Sequence, residues 1–339
     1  MVDNYFLFSY HSIKICIVVI VVKRNSNAES ILTHLKTNSG SYISGQELSA
    51  RLGISRAAVS KQVGKLRLAG YRISSATNRG YSLVSEPDRL DSKLLEAQNI
   101  TYLTITESTN REAKRLAEKG LPGFNCIAAE EQSEGRGRLG RDWFSPAGSG
   151  LWFSILLKPD TVTPAEAAPI TLVTAAVIAD YFNQTLKLPV KVKWPNDLLV
   201  NEKKLGGILT ELKGEPDHID YLIIGIGLNI SQNTEDFPPG LRSKVTSLSI
   251  ENGAIQNRTS LLLQLHSLLF KAYHLFFQEG FKPFSTLWKK HSSTLGREVT
   301  VRLAGQTVSG RAKDITEQGA LIITDTGGAK KIINYGEII

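Results

Sequence analysis

Cysteine is almost missing from this sequence: there are two, Cys16 and Cys126, more than a hundred positions apart. A disulfide framework is therefore not expected, and the chain reads as cytoplasmic. The six histidines include no His-Glu-x-x-His and build no clustered ligand set with the cysteines, so no zinc is expected. Methionine occurs once, at position 1, and there is no internal repeat or low-complexity tract. The apolar run at residues 13–22 is interrupted by Lys14. It has half the roughly 20 residues that cross a bilayer, and it lacks the basic start of a secretory signal. Residues 1–24 thus read as an extension, an added strand or the product of a misassigned start, and no membrane partner is expected. What remains is ordinary: 339 residues, 42% apolar and 21% charged, enough for two or three globular domains.

The net charge of +8 is not spread evenly. Residues 25–84 hold eight Lys/Arg against two acids, residues 1–24 three against one, and the rest balance at 29 each. A neutral body with one short basic module points to a polyanion that meets the module alone. Within it, Ile31, Leu32 and Leu35 have helical spacing, and Ser44-Gly-Gln-Glu47 is a capping box that opens a helix through Leu52. Gly53 permits a tight turn, and Ser55 caps a second helix, Arg56 to Ala69. A hairpin follows, with Asn78-Arg79-Gly80 at its tip. This is a winged helix-turn-helix at 25–84, its two helices near 45–64. Arg56, Ser60, Lys61, Lys65 and Arg79 are the candidate DNA contacts, able to reach phosphates and base edges. The alternative is a winged helix used for packing or dimerisation. Ser85-Glu-Pro-Asp88 has turn chemistry, which puts a linker at 85–91.

Beyond it, helical and strand patterns alternate, as in an α/β or α+β body. Thr109-x-x-Glu112 reads as a capping box for a helix that stops at Gly120. Thr163-Pro-Ala-Glu166 reads as another, for an all-round apolar helix to about Leu186. Arg258–Glu279 is a long helix ended by Gly280. From Arg297, short alternating strands suggest a small β-barrel of about 45 residues.

Gly135-Arg136-Gly137-Arg138-Leu139-Gly140-Arg141 contains Gly-x-Gly-x-x-Gly, with Asp160 twenty residues on. A dinucleotide fingerprint needs a helix at that loop; a strand follows instead, and no Gly-Lys-Ser/Thr makes it a Walker loop. Glycines let backbone approach a ligand, and guanidinium forks match phosphate or carboxylate oxygens. The loop should order around an anion, with Trp143 and Phe144 as a roof. Lys191-Val-Lys-Trp-Pro-Asn196-Asp197 and Lys203-Lys204-Leu-Gly206-Gly207 form a strand, a turn and a returning strand, and Lys204 can reach the same cavity. Ile223-Ile-Gly225-Ile-Gly227-Leu-Asn229 is a buried strand ending in an amide. The plainer readings are an exposed basic loop, a surface lysine and a simple strand.

Taken in order, Ser108-Thr109-Asn110, Glu131-Gln132, the arginine–glycine loop, Lys-Trp-Pro-Asn-Asp-Leu, Lys-Leu-x-Gly-Ile-Leu and Gly-x-Gly-x-Asn resemble the biotin protein ligases. With the winged helix, the chain resembles the bifunctional class that joins ligase and biotin operon repressor. The resemblance implies an α+β multidomain chain. A mixed α/β catalytic domain like class II aminoacyl-tRNA synthetases would span 92–291, and an SH3-like barrel 292–339. It implies two steps: biotin and MgATP give biotinyl-5′-adenylate and pyrophosphate, then a lysine of the biotin carboxyl carrier protein takes the biotin and AMP leaves. It gives biotin to Ser108, Thr109, Asn110, Gln132, Arg136, Gly137, Arg138, Lys204 and Gly207. ATP or adenylate would meet Arg138, Arg141, Trp143, Asn196, Asp197 and Asn229. Lys204 and Arg138 would be catalytic, and Asp197 and Asn229 are the Mg²⁺ candidates. Adenylate binding would favour a homodimer on palindromic operator DNA. Leu139, at a loop position more often polar, and the 24-residue extension depart from the family pattern. Three other readings stay open: a biotin-sensing repressor without catalysis, a ligase with an idle DNA-binding domain, and a lipoate-type ligase.

Overall fold

The computed structural model describes residues 27–339 except 69, 70, 78, 87, 122, 160, 254 and 255. The expected extension with Cys16, and Ala69, Asn78, Pro87 and Asp160, lie outside the described residues. Two compact units are present, the second beginning at Asp88.

The first unit runs α1 (Asn27–Thr37), α2 (Gly45–Leu52), α3 (Arg56–Leu68), β1 (Arg72–Ala76) and β2 (Gly80–Ser85). Val59, Val63 and Leu66 fall on one stripe of α3 and close a small core with Ile31, Leu35, Ile43, Leu48, Ile73 and Leu83. Gly53 adopts φ +63 and ends α2, which permits the turn into α3. Ser44 caps α2 as expected, accepting from Glu47 N at 3.0 Å. The reciprocal half of the box is not made, because the Glu47 carboxylate pairs with Arg51 at 2.6 Å instead.

The second unit opens with α4 (Ser92–Glu96), β3 (Ile100–Leu103), α5 (Thr109–Glu118), β4 (Asn125–Ala129) and β5 (Gly150–Leu157). Helices α6 (Pro164–Ala167) and α7 (Ile170–Thr185) and strands β6 (Lys191–Lys193), β7 (Asp197–Val200), β8 (Lys203–Glu215) and β9 (His218–Asn229) follow. After α8 (Leu248–Asn252), α9 (Arg258–Glu279) and α10 (Lys282–His291) come β10 (Glu298–Arg302), β11 (Thr307–Ile315), β12 (Leu321–Thr324), β13 (Lys330–Ile333) and β14 (Glu337–Ile338). The seven-stranded sheet has the order β3-β4-β5-β9-β8-β7-β6, and β10–β14 form a five-stranded antiparallel sheet. Only β3–β4 is a parallel neighbour pair in the large sheet, which makes the body α+β.

Strand alternation decides where the site lies. On β5, Leu151, Phe153, Ile155 and Leu157 face the main core, shared with α7, α9 and α10. Leu156 faces a smaller core under α5, so Trp152 and Ser154 share that second face. Helix α7 is apolar on nearly every side because it is packed on nearly every side. Residues Pro164–Thr185 are the one described stretch long and apolar enough to cross a membrane, and most of it is buried in this core. The capping box at Thr163 forms with Glu166. The expected single helix is interrupted at Pro169, so α6 and α7 are separate. The expected box at Thr109 does not form. Ser108 is the N-cap without a side-chain bond, and Glu112 pairs with Arg115.

Candidate functional site

On the α5 face of the large sheet, the register sets Gly207 opposite Gly227 and Leu209 opposite Gly225. Three residues of one face are therefore glycine, and the missing side chains leave a trough. A Cβ on Gly225 would lie 2.8 Å from Asn110 Cγ, and one on Gly227 2.5 Å from Trp143 Nε1. Glycine is required there because the side chains above lie directly on backbone. The trough widens into a cavity of about 250 Å³, near the lower end of ligand-pocket sizes.

Every residue named above for biotin, ATP or adenylate lines this one cavity. At its floor, Thr109 N and Oγ1 donate to Gln132 Oε1 at 2.8 and 3.1 Å, and Gln132 Nε2 donates to Ser145 Oγ at 2.9 Å. Asn110 Nδ2 donates to Glu211 Oε2 at 2.6 Å. Ser154, fully buried, sits within 2.7 Å of both Thr109 Oγ1 and Asn110 Oδ1. Thr109, Asn110, Gln132 and Ser154 thus hold one another in set orientations.

At the other end, Lys204 Nζ meets Asp197 Oδ1 at 2.7 Å and lies 5.2 Å from the Trp143 ring centroid. The indole of Trp143 rests on Gly207 and Gly227, meets Trp152 edge-on, and leaves its Nε1 buried without a hydrogen-bond partner among the described residues. Arg138 donates to Asn196 Oδ1 at 3.3 Å and to Gly336 O at 2.9 Å. Burial pulls the Arg138 guanidinium below its ordinary range, partly opposed by the charges of Asp197 and Glu337. Arg141 forms a two-pronged pair with Glu337, Nη1–Oε1 at 2.5 Å. That hydrogen bonding from Arg141 holds the Glu337 carboxyl below the usual carboxylate range. Asn229 donates to Thr246 O at 2.9 Å. Arg136 is exposed and pairs with Glu134 at 3.4 Å. Leu139, in the loop that carries these arginines, has φ +58 and is 75% exposed.

Several residues here were not among the candidates. Ser154 was legible only as one polar residue in an otherwise apolar strand. Phe237, Leu241 and Val245 line the cavity from the segment after β9, and Glu337 and Ile338 from the carboxyl-terminal sheet. No motif marks them.

Behind the trough, Arg258 is completely buried. It reaches Glu130 Oε1 at 2.6 Å, Asp88 Oδ2 at 2.9 Å and Gly150 O at 2.9 Å. Glu130 also accepts from Gly148 N at 2.8 Å and Leu90 N at 3.0 Å. One buried cation with two carboxylates thus ties the end of β4 to the start of β5.

In the first unit, Arg56, Ser60, Lys61 and Lys65 are exposed on α3, away from the buried stripe. Arg79 is exposed at the hairpin tip, its guanidinium 4.4 Å from the Tyr42 ring centroid. The two candidate groups lie in different units.

Residues 27–82 match the HTH domain family, 102–229 the biotin/lipoate A/B protein ligase family, and 294–339 the biotin protein ligase C-terminal domain. The bifunctional ligase/repressor BirA of Bacillus spizizenii is 34% identical over 89% of this chain and 95% of its own length. The protein of the same name from Escherichia coli is 33% identical over 85% of this chain and 90% of its own length. Among solved structures, the biotin protein ligase of Aquifex aeolicus in complex with biotin and ATP covers 71% of this chain and 98% of that one. It aligns at 30% identity with a TM-score of 0.62. With a relative this similar spanning nearly its whole length, the chain belongs to the family of bifunctional biotin ligase/repressors.

Proposed function

We propose that this chain makes biotinyl-5′-adenylate from biotin and ATP, transfers the biotin to a carrier-protein lysine, and represses transcription by binding DNA. The observation that carries the ligase reading is the glycine-floored trough, with a fixed polar network at one end and Lys204, Arg138 and Arg141 at the other. A ureido ring needs its donors and acceptors paired in a confined slot, which suits Ser108, Thr109, Asn110 and Gln132. A carboxylate and a phosphate need cations at the far end. The backbone of Gly137 and Gly207 gives the valeryl chain room, with Arg136 at the rim.

In the first step a carboxylate oxygen of biotin attacks the α-phosphorus of ATP and pyrophosphate leaves. Charge builds on the equatorial phosphoryl oxygens, and Lys204 and Arg138 are held where they offset it without moving. Asp197 and Asn196 hold these two cations in place before substrate arrives, and Trp143, Arg141 and Asn229 are the contacts for the nucleotide. Magnesium would come with the triphosphate, which supplies much of its coordination. The Asp197 carboxylate and the Asn229 carbonyl oxygen are the donor types that suit it, and bound there it would neutralise phosphate charge. In the second step the amine of a carrier lysine attacks the acyl carbon, the acyl–phosphate bond breaks, and AMP leaves. The domain plan goes with this reading: DNA-binding at 25–84, a linker at 85–91, catalysis at 92–291 and the small β domain at 292–339. So does a homodimer favoured by adenylate, which would present two α3 helices to a palindromic operator.

The test is incubation with MgATP, a purified biotin carboxyl carrier domain and either biotin or lipoate. Streptavidin should label the carrier in the biotin reaction. Carrier modified by lipoate but not by biotin would reject the substrate assignment. Binding to promoter DNA that ignores biotin plus ATP would reject the coupling between the two activities.

A further inference from the structure

Arg79 occupies an unusual position for an exposed arginine. Its guanidinium stacks on the face of Tyr42 at 4.4 Å, and among the described residues it has no carboxylate partner. Tyr42 is itself held, since its hydroxyl accepts from Ser74 Oγ on β1 at 3.1 Å. The next residue, Ile43, exchanges two backbone hydrogen bonds of 2.9 Å with Tyr81, a one-residue antiparallel bridge to the hairpin. Ser44 then caps α2. Gly80, at φ +102, lies so close that a Cβ there would come within 2.6 Å of Ser44 Cα. Residues 42 to 44 therefore lock the hairpin tip to the start of the helix pair that carries α3. A free arginine loses rotamer freedom when it binds a phosphate; one already stacked on a fixed ring has lost much of it beforehand.

We propose that Tyr42 is a positioning residue for DNA. Its ring preorganises Arg79 as a guanidinium that contacts the phosphodiester backbone of a duplex, in fixed register with the cations of α3. The inference rests on the DNA-binding half of the proposed function. It is tested in the full chain, with biotin and MgATP present, by the retardation of a labelled random-sequence duplex at low salt, using Tyr42→Leu, Tyr42→Phe, Arg79→Ala and the Leu/Ala double variant. Melting temperature and carrier biotinylation serve as controls for folding.

Tyr42→Leu should weaken duplex binding about two- to fivefold, the scale of an exposed cation–π contact. Tyr42→Phe, which keeps the ring but loses the hydrogen bond from Ser74, should bind closer to the parent than Tyr42→Leu does. In the Arg79→Ala background, Tyr42→Leu should add nothing. Equal losses from Tyr42→Leu in both backgrounds, a Tyr42→Phe as weak as Tyr42→Leu, or an unchanged Tyr42→Leu would each overturn the role of Tyr42 while leaving DNA binding standing. A parent chain that does not retard the duplex would remove the DNA reading and this inference together.

Discussion

In the cavity every critical cation is already engaged: Lys204 on Asp197, Arg141 on Glu337, and Arg138 on Asn196 and Gly336. On α3, Arg56, Lys61 and Lys65 are exposed, with no ion-pair partner among the described residues. The two regions use the same residue types under opposite demands. A developing phosphoryl charge is met in a confined place, and a cation that must reorganise at that moment contributes less. A DNA backbone is long and wet, and free cations bind it by releasing counterions. On the proposed function, fixed cations would serve the chemistry and free ones the polyanion. Arg79 is the exception that carries the cavity's strategy into the DNA-binding unit.

The contrast can be broken at four points. Lys204→Ala should cut biotin-dependent pyrophosphate exchange by about a hundred- to a thousandfold, as loss of a charge-stabilising group does. Its melting temperature should hold, since the side chain lines a cavity; retained activity would remove the central assignment. Gly225→Ala should raise the KM for biotin about tenfold or more, on the scale of an overpacking cost of ~1–3 kcal/mol. Asn110 cannot retreat there, because Ser154 and Glu211 hold it. Steady-state kinetics would read this, and an unchanged KM would move biotin off the trough. Arg56→Ala and Lys61→Ala should each lower the slope of log affinity against log salt by about one and leave biotinylation alone. Glu337 gives the smallest effect. Its folded carboxyl titrates lower than the unfolded one because Arg141 hydrogen-bonds to it. The stabilisation is therefore complete above the unfolded value of about 4.3 and is lost as pH falls through the depressed folded value. Hydrogen exchange of residues 136–141 should speed up across that acidic window in the parent and be fast throughout in Glu337→Gln.

How much of this could be read beforehand depended on the range of each interaction. The turn at Gly53, the cap at Ser44 and the box at Thr163 use partners within a few residues, so their residue types announce them. Thr109 looked like another cap and was not, because Gln132, 23 positions away, and the buried Ser154 compete for its hydroxyl. Gly225 and Gly227 read as the end of a strand. Their use as a cavity floor depends on which face of β9 they occupy, and that follows from pairing with β5 and β8. Glu337 lies 196 positions from its partner Arg141, and nothing local in either segment announces the other. Motif order was enough to gather the cavity residues, but the partners that hold them rigid came from tertiary packing.

The most direct test of the central claim is a crystal structure grown with biotin and ATP. Biotinyl-5′-adenylate should lie over Gly207, Gly225 and Gly227, its ureido ring toward Thr109 and Gln132. The acyl–phosphate linkage should lie within hydrogen-bond reach of Lys204 and Arg138. An adenylate bound elsewhere, or one in the trough with both cations turned away from its phosphate, would contradict it.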